Sequence, residues 1–146
     1  MATVGFGQGY EGGCLCGAVR YRLRGAPFDA GYCHCRLCQR SAGAPTLVFA
    51  SVQKSDLQIL AGSPRRYRST SFATRSFCPQ CGTQLFMELD DQPRTVDFTV
   101  ASLDDPTAAP PDFHIWNASR IPWFEIADEL PRHEAGRPTL GEDQAP

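Results

Sequence analysis

The stretch Cys33-His34-Cys35-Arg36-Leu37-Cys38 places three thiols within six residues, and the rest of the chain is interpreted around it. The other four cysteines form two tight pairs, in Cys14-Leu15-Cys16-Gly17 and in Cys78-Pro79-Gln80-Cys81-Gly82. The seven thiols therefore divide into a set of four from the two pairs and a set of three from the stretch 33–38. Four thiolates complete a tetrahedral zinc site, whereas three leave one position open, and that difference separates structural from reactive zinc.

The composition is typical of a single globular domain. A chain of 146 residues with 42% hydrophobic and 21% charged residues can bury a core of its own. The net charge of -2 gives no field that would attract nucleic acid or an anionic membrane. No stretch approaches the roughly 20 apolar residues of a spanning helix, and the first ten residues lack the features of a secretory signal. We therefore expect a cytoplasmic protein with neither membrane nor nucleic acid as a partner.

Alternating polarity predicts a fold of short antiparallel strands. In 18–24, Val19, Tyr21 and Leu23 alternate with arginines, as in a half-buried strand. Residues Arg36–Ala42 are predicted to form one or two helical turns, stopped by Gly43. Further strands are predicted at 46–52, 56–60, 65–69, 71–77, 84–89, 95–100 and 113–117. In 95–100 the alternation predicts that Val96, Phe98 and Val100 face inward. The fold class is therefore mainly β.

The closing part of the chain is less regular. Residues 122–130 are consistent with either a short helix or an extended segment that packs its aromatic side chains. After Pro131 the composition turns polar, which is typical of a flexible terminus. We expect one domain over 1–131 and a flexible tail over 132–146.

The two cysteine pairs favour metal binding. The Cys78 pair, with two residues between the sulfurs and a glycine behind them, has the spacing of a zinc knuckle. Cytosolic reductants oppose disulfides, and an odd cysteine count fits a complete disulfide framework poorly. Spacing alone also permits Cys35 and Cys38 to join Cys78 and Cys81, a common CxxC…CxxC pattern. A redox pair at Cys35 and Cys38, or an iron–sulfur cluster, uses the same thiols.

The cysteine motifs, taken in order, resemble those of one known family. They are Gly13-Cys14-Leu15-Cys16-Gly17, Cys33-His34-Cys35-Arg36-Leu37-Cys38-Gln39-Arg40 and Phe77-Cys78-Pro79-Gln80-Cys81-Gly82-Thr83, followed late in the chain by Ile121-Pro122-Trp123-Phe124-Glu125 and Leu130-Pro131. This set is similar to the glutathione-dependent formaldehyde-activating enzyme (GFA) family, which also includes centromere protein V. The resemblance runs from about Tyr10 to Pro131.

The resemblance implies an Mss4-like, mainly β fold of short antiparallel strands that is stabilised by two bound Zn²⁺ ions per chain. It assigns the structural zinc to Cys14, Cys16, Cys78 and Cys81, and the catalytic zinc to Cys33, Cys35 and Cys38. It also implies a carbon–sulfur lyase resembling S-(hydroxymethyl)glutathione synthase, with glutathione or another thiol as co-substrate and a small aldehyde as partner. The alternative is a non-catalytic, zinc-binding Mss4-like module for protein interaction.

A few other side chains bear on the choice between enzyme and interaction module. A fourth ligand for the three-thiol set would have to come from His34, His114 or a partner molecule, and it would close the reactive position. Two arginine groups, on 20–24 and on 65–68, are candidates for contacts with carboxylates or phosphates. A solvated surface is the simpler interpretation of both groups, and a core position is the simpler interpretation of His114.

Overall fold

The computed structural model describes residues 10–136, and in this part of the chain it contains ten β-strands and one α-helix. The helix α1 spans Arg36–Ala42. The strands are β1 Tyr10–Gly13, β2 Arg20–Leu23, β3 Phe28–Cys33, β4 Leu47–Gln53, β5 Leu57–Ala61, β6 Arg65–Arg68, β7 Ala73–Phe77, β8 Gln84–Leu89, β9 Thr95–Thr99 and β10 His114–Ile115. The predicted mainly β fold class is confirmed.

The strands form two sheets. The smaller has the order β1-β2-β5, and the larger has the order β10-β3-β4-β9-β8-β7-β6. All pairings between described strands are antiparallel except that of β10 with β3, which is parallel. β3 leads directly into the three-thiol stretch, so β10 and β4 hold this stretch from its two sides.

The hydrophobic core lies between the two sheets. Tyr21 of β2 meets Phe86 of β8 edge to face, with ring centroids 5.1 Å apart, and the Tyr21 hydroxyl lies 2.7 Å from the hydroxyl of Ser102. Val96 and Phe98 of β9 are buried in the same core. The predicted inward phases of β2 and β9 are therefore confirmed.

The helix begins and ends where the sequence predicts. Cys35 is the N-cap, and its sulfur accepts a hydrogen bond from the backbone N–H of Cys38 at 3.3 Å. Gly43 ends the helix with a φ of 62°, a left-handed conformation that glycine adopts without a steric penalty. The N-cap of this helix is thus itself one of the three clustered cysteines.

The end of the described chain differs from a free tail. The backbone N–H of His133 donates to the carbonyl of His114, and that of Trp116 donates to Ala135. Residues 132–136 of the predicted tail are thus paired with the chain around β10, whereas 137–146 lie outside the described residues. The ambiguous segment 122–130 is neither helix nor strand.

Candidate metal centres and their cavity

Four of the seven cysteines meet in one cluster. Cys14 and Cys16 lie in the loop after β1, and Cys78 and Cys81 lie in the turn between β7 and β8. Their sulfur atoms all lie within 4.8 Å of one another. We call this set the four-thiol cluster; it joins segments that are 62 residues apart.

The spacing of these sulfurs fits a zinc ion. Zinc–sulfur bonds of about 2.3 Å in a tetrahedron place the sulfurs about 3.8 Å apart. The sulfur of Cys16 lies 3.6 Å from that of Cys14 and 3.8 Å from that of Cys78. The donor set and its spacing therefore match a closed thiolate site.

The backbone around the four-thiol cluster is arranged to receive thiolates. Gly17 and Gly82 each follow the second cysteine of a pair, and both have a φ of 80°. The N–H of Val19 donates to the Cys14 sulfur at 3.2 Å, and the N–H of Gln80 donates to the Cys78 sulfur at 3.4 Å. Such donors stabilise negative charge on sulfur.

The remaining three cysteines form a second cluster at the N-terminus of α1. Cys33 ends β3, Cys35 caps the helix, and Cys38 lies in its first turn. The three sulfurs lie within 4.8 Å of one another, and those of Cys33 and Cys35 are 3.4 Å apart. We call this set the three-thiol cluster.

Contact among these three thiols drives their pKa values apart. Hydrogen bonds with Cys35 and Cys38, together with burial, raise the pKa of Cys33. Hydrogen bonds from Cys33 and Cys38 hold the pKa of Cys35 far below its usual range, despite the opposing effect of burial. One thiolate is thus favoured while its neighbours stay protonated, so the ionisation of all three needs a cation between them.

No histidine or carboxylate among residues 10–136 completes the three-thiol cluster within the same 4.8 Å. The Nε2 atom of His34 lies 2.8 Å from the Nδ1 atom of His114, whose Nε2 atom lies 2.9 Å from the Asp128 carboxylate. Both ring nitrogens of His114 are therefore engaged elsewhere, and the ring is buried. The three-thiol donor set is consistent with a site that keeps one position open.

Arg75 is a site residue that sequence reasoning missed. It is buried on β7, where its guanidinium donates to the Cys38 sulfur at 3.6 Å and to the Gln84 side chain at 2.7 Å. A charged residue in an alternating strand is ordinarily assigned to the solvent face. The sequence did offer one signal. Arg75 lies two residues after Ala73, and therefore on the same face of the strand, shortly before the Cys78 knuckle.

The three-thiol cluster lines a cavity of about 770 Å³ on one face of the larger sheet. This volume falls within the roughly 300–1,000 Å³ range of small-molecule sites. Asp97 of β9 lies in its wall and accepts a hydrogen bond from the Ser51 hydroxyl at 2.6 Å. Burial, together with the nearby charge of Asp29, raises the pKa of Asp97 to about 6.

Four of the six arginines in the two groups singled out in the sequence are paired with carboxylates. In the first group Arg20 pairs with Asp104 and Arg22 with Glu11. In the second group Arg66 pairs with Glu88 and Arg68 with Asp90. These pairs neutralise much of the charge that an anion would recognise.

Comparison with known proteins identifies relatives of the chain. A model of the glutathione-dependent formaldehyde-activating enzyme family matches residues 9–119. A Halomonas elongata protein, provisionally named a glutathione-dependent formaldehyde-activating enzyme, is 28% identical over 138 residues, which cover 88% of each chain. A Schizosaccharomyces pombe protein, named an uncharacterised lyase, is 35% identical over 77 residues. That match covers 53% of this chain and 56% of the relative, so the chain spans little more than half of it.

Among solved structures, a Rhodobacter sphaeroides protein matches with a TM-score of 0.54 and 28% identity. The match covers 64% of this chain and 87% of the other. Over residues 10–136, no helix has the length and apolar character needed to cross a membrane. Since the family match spans residues 9–119 of 146, this chain belongs to the glutathione-dependent formaldehyde-activating enzyme family.

Proposed function

We propose that this chain is a zinc-dependent enzyme of the carbon–sulfur lyase type. Its substrate would be an adduct of glutathione, or of a similar thiol, with formaldehyde or a related aldehyde. The observation that carries the proposal is the three-thiol cluster, which lines a large cavity and has no fourth ligand among residues 10–136. The names of the two relatives support the same class of reaction.

The two clusters would divide the roles between them. Cys14, Cys16, Cys78 and Cys81 would hold a structural zinc, and Cys33, Cys35 and Cys38 would hold a catalytic one. When bound with an open position, zinc lowers the pKa of a coordinated thiol and polarises a carbonyl oxygen. The buried guanidinium of Arg75 offsets part of the negative charge of the three thiolates through its contact with Cys38.

The reaction balances without a further reagent. In the direction of synthesis, sulfur bonds to the carbonyl carbon, the π electron pair moves to oxygen, and the proton released from the thiol ends on that oxygen. In the reverse direction the carbon–sulfur bond breaks, and thiol and aldehyde are released. The chain contributes a fixed set of sulfurs and a cavity that encloses the reactants, and such positioning lowers the entropy lost on reaction.

Metal analysis combined with one substitution tests the proposal. We expect two zinc ions per chain in the wild type and one in Cys35→Ser. Exchange between ¹³C-formaldehyde and its glutathione adduct, followed by NMR, should be accelerated by the wild type and by a Leu60→Ser control. It should fall to the uncatalysed rate in Cys35→Ser. Unchanged acceleration in Cys35→Ser would remove this mechanism, and a second zinc that is inert to thiols would favour the interaction module.

A further inference from the structure

The walls of the cavity beside the three-thiol cluster are largely hydrocarbon. Strands of the larger sheet contribute Phe49 from β4, Met87 and Leu89 from β8, and Ile115 from β10. Phe113, just before β10, adds a further aromatic ring. The same cavity is lined by all three cysteines of the cluster, so a ligand that reaches the sulfurs also contacts these walls.

Large apolar side chains also stand exposed around this cavity. Leu37 of α1 is 48% exposed, Phe72 before β7 is 53% exposed, and Trp116 after β10 is 43% exposed. A ligand that covers such side chains gains about 25 cal/mol for each square ångström of apolar surface removed from water. Exposed apolar surface that is contiguous with a cavity commonly marks a binding site.

Trp116 is held in place by its backbone. Its φ of 55° is in the left-handed region, which a bulky residue rarely adopts. Its N–H donates to Ala135 at 3.0 Å, and its carbonyl accepts from the N–H of Ser119 at 3.0 Å. The backbone that carries this partly exposed indole is thereby fixed beside the cavity.

The two arginines of the cavity wall are already engaged within the protein. The lining also includes four aspartates, one of which is neutralised by an arginine outside the cavity. Arg36 donates to the Gln39 side chain at 2.8 Å, and Arg75 donates to Gln84 and to Cys38. A tripeptide thiol such as glutathione, which carries two carboxylates, would therefore have to displace these partners before either arginine could bind it.

We infer that the preferred thiol of this enzyme carries an uncharged aromatic or branched alkyl group, which occupies the apolar part of the cavity while its sulfur reaches the three-thiol cluster. This inference rests on the proposed function, because it takes the reacting sulfur to lie at that cluster. It replaces the tripeptide with a compact apolar thiol as the preferred substrate.

Thiol titration of the cobalt-loaded protein tests the inference through the absorption bands of the metal. We expect phenylmethanethiol to shift these bands at a concentration at least about tenfold lower than glutathione does, as burial of its ring implies. In Phe72→Ser the ratio of the two affinities should fall several-fold toward one. The ratio should recover in large part in Phe72→Leu. It should keep its wild-type value in Leu60→Ser, since Leu60 is also an exposed apolar residue but lies outside the cavity lining.

The outcomes separate the two proposals. If glutathione binds as tightly as phenylmethanethiol or more tightly, the apolar preference is wrong, but the proposed function stands because a thiol still reaches the metal. If the ratio is the same in Phe72→Ser as in wild type while circular dichroism shows both folded, the cavity is not the source of the preference and the inference fails. If neither thiol shifts the bands, the inference fails together with the proposed function.

Discussion

At the scale of single residues, Arg75 supports the three-thiol cluster through its contact with Cys38. The guanidinium is buried and lies 3.6 Å from the sulfur. A buried cation is stable only when opposite charge or hydrogen-bond acceptors surround it. Thiolate charge on the cluster and the Gln84 side chain supply these partners. Arg75 and the three-thiol cluster therefore stabilise each other.

Removing this guanidinium should weaken metal binding at one cluster only. In Arg75→Met we expect the three-thiol cluster to lose its metal about 10- to 100-fold more readily, the usual effect of losing a group that supports a ligand. Metal released to a graded series of chelator concentrations measures the effect. The four-thiol cluster of the same molecule is the internal control, and equal release from both clusters would contradict this role of Arg75.

Asp97 gives a prediction on pH and stability. Burial and the neighbouring Asp29 raise its pKa from 3.8 to about 6, while the hydrogen bond from Ser51 opposes the shift. Between these values the folded protein holds a proton that the unfolded chain has released, so the contribution of Asp97 to stability is greatest below pH 4 and is lost as the pH rises through 6. In wild type, the ionised form is therefore a source of instability at neutral pH.

Asp97→Asn removes this penalty and should raise the free energy of unfolding at pH 8 by about 1–3 kcal/mol. At pH 4, where the wild-type carboxyl is largely protonated, the two proteins should differ much less. Urea unfolding at both pH values measures the difference. Asp91→Asn, at an exposed turn between β8 and β9, is the matched control; an equal gain in that variant would show that net charge, rather than Asp97, is responsible.

At the scale of elements, a chain of hydrogen bonds joins three segments that are distant in sequence. His34 follows β3, His114 begins β10, and Asp128 lies in the irregular segment after it. The ring of Tyr32 stacks on that of His114 with centroids 4.6 Å apart. These hydrogen bonds fix the three-thiol stretch against β10 and the segment around Asp128.

His114→Leu should break that link. The substitution leaves a buried nitrogen of His34 without its partner, and an unsatisfied buried group costs about 1–3 kcal/mol. Asp128 keeps its hydrogen bonds with Arg132 and the N–H of Leu130. We expect a lower urea midpoint and faster amide hydrogen exchange in 33–38. His133→Leu, at a half-buried histidine outside the chain of hydrogen bonds, is the comparison. Exchange in 33–38 that is no faster than in the comparison would show that the histidine pair does not hold this stretch.

The elements were predictable wherever local pattern decides them. Alternation placed β2 and β9 with the correct inward faces, and Gly43 marked the end of α1. The position of Arg75 was not predictable, because its partner lies 37 residues away and polarity alone directs an arginine to solvent. Cysteine spacing left the pairing of the Cys78 knuckle open, since only the folded distances bring it beside Cys14 and Cys16.

At the scale of the whole molecule, the two clusters differ in what they connect. The four-thiol cluster joins the β1–β2 loop to the β7–β8 turn across 62 residues. A cross-link that closes a loop of that length lowers the entropy of the unfolded chain by an amount worth about 4 kcal/mol. The three-thiol cluster lies within six residues and closes almost no loop, so a metal bound there would add little to the global stability through loop closure.

Loss of metal should therefore lower the melting temperature by different amounts at the two clusters. In the double variant Cys78→Ser/Cys81→Ser, which leaves this cluster only two thiols, we expect the melting temperature of the zinc-loaded protein to fall by about 10–15 °C, as a loss of about 4 kcal/mol implies for a domain of this size. In Cys35→Ser we expect a fall of less than about 4 °C, because the sulfurs it disturbs are already neighbours in the chain. Calorimetric melting with parallel zinc analysis checks both, since each variant should retain one zinc. Similar melting temperatures in the two variants would mean that the four-thiol cluster does not stabilise the fold by cross-linking distant segments. The division into a structural and a reactive centre would then lose its physical basis.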